Sequence, residues 1–583
     1  MSLVYHAIQL ACLAVARVSK SRAITRYVFP LIIVFLILGL YGWVLVASGE
    51  ELAWLNEDDS CYYYAIALNV ASGKGFTFDG VAKTNGFHPL WLLALVPIWK
   101  LFATSLGRPI EIAIALQLVL YIASALLLYR MLKSRLGLLP SAVAVITFVL
   151  NPRISGRMLS GLETTLALLL ALVSVQYFDR HVCQTNTLRP ASLLTLSVLL
   201  GLTTLARLEC FALTCVIVGW MFLHRKKYPS SGRLGLPPYL IVGGCATLIL
   251  IIYLGWSLLV FGSVTPVSGQ MKQLWARQEL ANAIASQQFI HDPLGFLYER
   301  LNIPSPADVY FWRLEPAALG PIALAFMGLL LILPWLVRDR RLGAVVVFYS
   351  FAWLQIVVEK IAFSFSGRIA DYYFIPFYVV VPVSFGLLGS IAHGWLCARC
   401  GVPRSSAWPR RLLKLSAVVI LLVIMAFWGS DARAQLIETA RRYSTRPYQA
   451  RYYYSFYSAS QWINENVEED AVIGVWNAGI IGYFSERQVV NLDGFANSVE
   501  FLRSIKNAEP LSDILERLSI DYLADRREYG RDPLDRHPGL LSNWEELHCY
   551  LSPMQDIRNG GFCVYRHRVR DGAGDPAPCH SER

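Results

Sequence analysis

Three acids in a row, Glu57, Asp58 and Asp59, stand in "LNEDDSCYYYAIALNVASGKGF", between Leu55 and Phe76. A fourth, Glu163, opens the apolar run of "RMLSGLETTLALLL". A carboxylate can take the proton of an attacking hydroxyl or amine. Cations can neutralise a departing phosphate, and His88 in "TNGFHPLW", Arg207 in "LARLE", Lys272 in "TPVSGQMK" and Arg368 in "SGRIADYY" are the candidates. Each residue also has a plain structural reading. Acids in a first helical turn are caps favoured by the helix dipole, and basic side chains at membrane edges snorkel to the headgroups. Chemistry requires that these groups meet, so the elements that carry them decide between the two readings.

The chain has 583 residues, 55% of them hydrophobic, 13% aromatic and only 16% charged. With a mean hydropathy of +0.45, this composition excludes an ordinary soluble domain and implies a polytopic α-helical membrane protein. The formal charge of +11 does not point to nucleic acid, because the basic residues fall in short runs between apolar segments and report topology. The cysteines show no metal-ligand spacing apart from "CARC" at Cys397–Cys400, which lacks a second pair. The first 26 residues carry their positive charges after their apolar part, unlike a cleaved signal, and read as a cytoplasmic interfacial segment.

A spanning helix needs about 20 apolar residues. Tyr27 to Ser48 qualifies, and "RVSKSRAITR" before it holds the N-terminus in the cytoplasm. The runs "RMLKSR", "DRHVCQTNTLR", "HRKKYPSSGR", "RDRR" and "RSSAWPRRLLK" are then all cytoplasmic. That parity holds only if Pro89 to Phe102, short and carrying Pro97 and Lys100, does not cross and is interfacial or re-entrant. Further spans are expected at Ile110–Tyr129, Leu138–Leu150, Thr164–Phe178, Ala191–Ala206, Phe211–Leu223, Pro238–Phe261, Ala317–Val337, Leu342–Ala362, Tyr373–His393 and Leu415–Trp428, about eleven in all. The expected domains are the cytoplasmic segment 1–26, a transmembrane domain 27–429 with an external loop 49–88, and an extracytoplasmic domain 430–583. Every candidate acid and cation falls on the outer side. The segment after "EDD" reads as an amphipathic helix lying in the membrane interface.

The tail turns polar and mixed. "AVIGVW", "QVVNLDG" and "IDYLADRRE" read as strands of a small α/β domain, and "WNAGIIGYF" as a strand-to-helix turn that either packs tightly or binds an anion, with packing favoured. Cys549 and Cys563 lie in this oxidising compartment and are candidates for a disulfide.

"NEDDSCYYYAIAL", "TNGFHPLWLLAL", "LSGLETTL", "LARLE" and "GRIADYYFIP" together resemble the GT-C superfamily of membrane glycosyltransferases. Within it, the likeness is to polyprenyl-phosphate-sugar-dependent enzymes of the protein mannosyltransferase and aminoarabinose transferase type, and it runs over roughly the first 380 residues. The resemblance implies a multi-pass protein of the cell membrane that transfers sugar from a polyprenyl-phosphate donor to a glycan, lipid or protein acceptor on the outer side. It implies Asp58 as the general base, Asp59 as an orienting acid and Glu163 as the supporting acid of the next external turn. Where some members use a divalent ion such as Mg or Mn, Asp58 and Glu163 are the expected ligands. His88 stands where the aminoarabinose transferases have a lysine before Pro-Pro, and Arg207, Lys272 and Arg368 would hold the donor phosphate. Direct displacement implies inversion at the anomeric carbon. The chain carries no P-loop or dinucleotide fingerprint. The competing reading is a transporter or lipid flippase, whose ionisable residues belong inside the spans. A third is an inactive scaffold whose outer domain binds a partner.

Overall fold

The computed structural model describes residues 27–55, 58–185, 188–227, 236–291, 343–364, 371–399, 448–526, 540–550 and 562–568. The segment 1–26, Glu57, the expected spans Ala317–Val337 and Leu415–Trp428, Arg368 and Cys400 lie outside these residues.

Long runs of Leu, Ile, Val, Ala and Phe become helices here because a helix satisfies its own backbone N–H and C=O groups where water is absent. The first is α1 (Phe29–Tyr41), then come α2 (Gly49–Leu55), α3 (Asp58–Ala71), α4 (Pro89–Phe102), α5 (Gly107–Leu136), α6 (Leu138–Leu150), α7 (Pro152–Met158) and α8 (Thr164–Phe178). After them follow α9 (Pro190–Ala206), α10 (Phe211–Leu223), α11 (Pro238–Phe261), α12 (Val267–Ala285), α13 (Gly343–Ala362) and α14 (Ile375–Arg399). Among the described residues, four helical stretches are long and apolar enough to cross a membrane: Gly107–Leu136, Thr164–Cys183, Pro238–Phe261 and Gly343–Ala362. Every span expected within the described residues coincides with a helix. The 14 residues of α4 rise only about 21 Å, short of a hydrocarbon core about 30 Å thick.

Helix α9 packs on α8 and α11, while α6 packs on α5 and α14. Polar side chains tie these contacts: Ser174 to Thr203 at 3.1 Å, Tyr349 to Ser384 at 2.6 Å, and Tyr41 donating to the Val149 carbonyl at 2.8 Å. Arg135 and Asp179 form a buried ion pair between the ends of α5 and α8.

The tail begins with α15 (Tyr448–Asn466) and builds a mixed sheet. Its strands β1 (Val472–Val475), β2 (Gln488–Asn491), β3 (Tyr522–Arg526), β4 (Trp544–Tyr550) and β5 (Phe562–His567) lie in the order β2-β1-β3-β5-β4. Strand β1 is parallel to β2 and β3, with Val472 opposite Gln488 and Ile473 opposite Tyr522. β5 runs antiparallel to both β3 and β4. Parallel β1 and β2 need a crossover, supplied by α16 (Gly479–Phe484), and α17 (Val499–Lys506) and α18 (Leu511–Arg517) join β2 to β3. Cys549 and Cys563 are direct cross-strand partners and are joined by a disulfide. One hydrophobic core runs without a break from the bundle into this domain, and a smaller one around Leu523, Ile514 and Trp544 fills another part of it.

The structure corrects the reading of α3. It is not amphipathic with one open face: Asp58 and every residue from Ser60 to Ala67 are buried, because α4 packs on one side and α16 on another. Its aromatic residues face protein on all sides, so their apparent helical spacing is core packing around the whole helix.

Candidate active site

Asp58 and Asp59 occupy the first turn of α3, where the helix dipole favours them. Asp58 also reaches a second helix N-terminus. Its Oδ2 accepts the Gly479 N–H at 2.9 Å and its Oδ1 the Ile480 N–H at 2.7 Å, both at the start of α16. The turn "WNAGIIGYF" therefore does both things considered for it. It packs tightly, since a Cβ on Gly479 would stand 2.1 Å from the Asp58 carbonyl oxygen and one on Gly482 2.3 Å from the Phe78 ring. It also holds an anion, and that anion is the Asp58 carboxylate. Burial raises the Asp58 carboxyl to about 7, against the two amide bonds that favour its ionised form.

Tyr62, one turn on, extends the same seam. Its hydroxyl donates to Asp493 Oδ2 at 3.0 Å and accepts from the Ala478 N–H at 3.2 Å and the Asn491 amide at 3.1 Å. Burial pushes Asp493 up to about 8, opposed by bonds from the Phe495 N–H and Tyr62. Asp59 is half-buried, and its charge acts on Tyr62, Asp493 and Lys272.

A second constellation lies around Glu163. This residue is the N-cap of α8, yet its side chain makes no capping bond, which corrects the cap reading. Instead Glu163 accepts from the Tyr63 hydroxyl at 2.9 Å and lies 3.5 Å from Arg207 Nε and 3.6 Å from His88 Nε2. His88 is the N-cap of α4, and its own N–H donates to the Tyr63 oxygen at 3.1 Å. Its ring thus faces an acid. Arg207, at the end of α9 and 3% exposed, also binds Glu209 at 3.0 Å, and its guanidinium stacks 4.5 Å above the Tyr373 ring. Lys272, from α12, donates to the Tyr373 hydroxyl at 3.1 Å. Its ammonium lies 5.3 Å from that ring and 5.1 Å from Phe495 of the outer domain. Attraction to Asp59 and Tyr373 raises the Lys272 ammonium above its ordinary range despite burial. Buried Glu359 stands beside Glu209, and Glu359 Oε1, Glu209 Oε2 and His88 Nδ1 have no hydrogen-bond partner among the described residues.

The structure therefore brings Glu163, His88, Arg207 and Lys272 together around Tyr63 and Tyr373, with Asp59 within electrostatic reach. Asp58 stands at the domain seam, and Arg368 lies outside the described residues. Sequence reading left Glu209, Tyr373, Glu359 and Asp493 without roles, although "LARLE", "GRIADYY" and "VVNLDG" contain three of them. Asp58 and Glu163 do not fit a divalent ion in this arrangement. Both Asp58 oxygens bind amides, and Glu163 faces a phenol and a guanidinium that compete with a cation. The one described group of three ligand-type side chains, Glu546, Cys549 and Cys563, contains both disulfide sulfurs.

Residues 441–565 match the model of a domain of unknown function, DUF8728. No curated protein sequence matches the chain. Among solved structures, it is similar to the Archaeoglobus fulgidus oligosaccharyltransferase tethered with an acceptor peptide containing the NVT sequon. The identity is 15% and the TM-score 0.50, over 87% of this chain and 69% of that one. The same oligosaccharyltransferase in complex with Zn and sulfate aligns at 14% identity and TM-score 0.50, over 85% and 68%. ArnT from Cupriavidus metallidurans bound to undecaprenyl phosphate aligns at 13% identity and TM-score 0.47, over 95% and 100%. At these identities the likeness is one of architecture alone: the chain has the fold of the oligosaccharyltransferase, a GT-C membrane glycosyltransferase.

Proposed function

We propose that this protein is an inverting glycosyltransferase. It moves a sugar from a polyprenyl-phosphate donor to a hydroxyl or amine acceptor at the outer face of a cell membrane, with its N-terminus cytoplasmic and its α/β domain outside. The observation that carries this reading is the meeting of Arg207 and Lys272 on one phenol, Tyr373, to which the scheme adds the half-buried Asp59 carboxylate. Two cations at one neutral ring suit an anion that gains charge as it departs. A carboxylate beside them suits a nucleophile that must lose a proton.

In this scheme Asp59 takes the acceptor proton. The nucleophile bonds to the anomeric carbon from the face opposite the phosphate, and the bond to the phosphate oxygen breaks with its electron pair. The departing polyprenyl phosphate meets Lys272, while Arg207, held by Glu163 and Glu209, fixes Tyr373 beneath it. Glu163, Tyr63 and His88 position Arg207 and the start of α4. The base role that the family resemblance gives to Asp58 passes to Asp59, because both Asp58 oxygens are bound at the seam.

The test is turnover of a panel of polyprenyl-phosphate sugars by purified protein, read as released lipid phosphate. Lys272→Met is expected to slow release by about 10²–10³-fold, the usual cost of one transition-state donor. No release with any donor, or undiminished release by Lys272→Met, overturns the reading.

A further inference from the structure

A cavity of about 450 Å³ opens between the first external loop and the outer domain, and none of its lining residues belongs to the Lys272 constellation. Three of its walls are aromatic. Phe484 meets Tyr457 edge-on at 5.2 Å and 85°, and Tyr483 at 4.9 Å and 90°. Phe484 and Tyr483 are buried in these contacts, and Tyr457, half-buried, is the ring left for a cation in the cavity to meet.

The polar lining is one-sided. Glu50 and Glu486 contribute carboxylates, and no Lys, Arg or His lines the cavity. Glu50 acts electrostatically on both Tyr457 and Tyr483. The Asn464 side-chain amide donates to the Phe484 carbonyl at 2.9 Å, which fixes its orientation. Glu486 keeps a left-handed backbone, φ 49°, that costs energy in a residue other than glycine and is often retained at functional sites. Two carboxylates and the Tyr457 ring without a lining cation oppose a phosphate and favour N–H⁺ or N-methyl groups. Leu101 and Phe102, just before Ala103 of the lining, are exposed, so lipid can reach the rim.

We propose that this cavity binds an organic ammonium group, carried either by an aminolipid headgroup or by a soluble amino sugar. The proposal stands apart from the sugar-transfer reading, since binding is measured without turnover. Purified full-length protein is titrated calorimetrically with choline, ethanolamine and glucosamine, and with the neutral counterparts 3,3-dimethylbutanol and glucose. Native mass spectrometry of nanodiscs compares retained phosphatidylethanolamine with phosphatidylglycerol. An ammonium probe is expected to bind at least about tenfold more tightly than its neutral counterpart, and Glu50→Gln or Tyr457→Ala to weaken it about tenfold. Retention of phosphatidylethanolamine with silent soluble amines supports a lipid headgroup, and the reverse supports a soluble amine. Glu50→Gln changes no volume, so it remains informative if Tyr457→Ala misfolds. Equal binding of neutral and ammonium probes, no binding of any amine, or an undiminished Glu50→Gln overturns the proposal.

Discussion

The seam at Asp58 and the constellation around Tyr373 are served by adjacent residues of α3, yet they are built by different means. At the seam, backbone does the binding: two amides of α16 hold one carboxylate, and glycine lets the two chain segments approach closely. Around Tyr373, side-chain charges converge from α8, α9, α12 and the turn before α14, held by ring faces and long ion pairs. The first arrangement fixes a domain, and the second leaves cations and acids in a small space suited to a charged substrate. Asp58 and Asp59 are indistinguishable as residue types, so the division of labour proposed for them rests on surroundings: the Asp58 carboxylate binds α16, and Asp59 is half-buried beside it.

That contrast can be broken from the seam side. Gly479→Ala puts a Cβ 2.1 Å from the Asp58 carbonyl, where backbone must give way. Overpacking of this kind typically costs about 1–3 kcal/mol and more when the backbone has to shift. The outer domain is expected to loosen, read as faster hydrogen exchange in α16 and easier proteolysis of the tail. Asp58→Asn is milder. An asparagine can accept only one of the two amide bonds and presents N–H groups to the other donor, for a loss of about 1.5–3 kcal/mol. Docking should weaken in the same exchange measurement, and turnover should fall only as far as docking does.

The dependence on pH sharpens the comparison further. Burial lifts Asp58 to about 7 and Asp493 to about 8, well above their unfolded value of 3.8. Between those values the folded chain binds protons that the unfolded chain has released. Stability of the docked domain is therefore fully favoured at low pH and is lost as pH rises from about 4 through about 8. Thermal unfolding across that window should show the decline, and Asp493→Asn should flatten its upper part. A flat profile in the wild type would remove Asp58 and Asp493 as buried acids of the seam.

Much of the bundle was legible in the sequence because a spanning helix needs only a long apolar run. The small α/β tail was legible for a similar reason, since "AVIGVW" and "QVVNLDG" alternate with helical pieces. The site was legible only in part. Glu163, Arg207 and Lys272 carry recognisable charges next to apolar runs, and the topology expected from the basic runs groups them. The Tyr62–Asp493 bond joins residues 431 positions apart, and no local pattern announces such a pairing. Glu359 carried no role in the sequence, because its neighbour Glu209 arrives from a different helix junction. Periodicity misplaced α3 because it cannot tell a helix buried all round from one lying on a surface. At "WNAGIIGYF" the favoured tight packing is present, and the anion beside it is a side chain of the same chain, which no local pattern announces.

The central claim is the separation of Asp59 from Asp58, and one paired experiment tests it most directly. Lipid-phosphate release from an active donor is measured for Asp59→Asn and Asp58→Asn, with hydrogen exchange of α16 followed in the same samples. The account predicts that Asp59→Asn keeps the domain docked and loses at least about 10²-fold in turnover, the scale of a lost general base. Asp58→Asn should lose turnover only in proportion to undocking. Wild-type turnover by Asp59→Asn, together with a dead but fully docked Asp58→Asn, would contradict it.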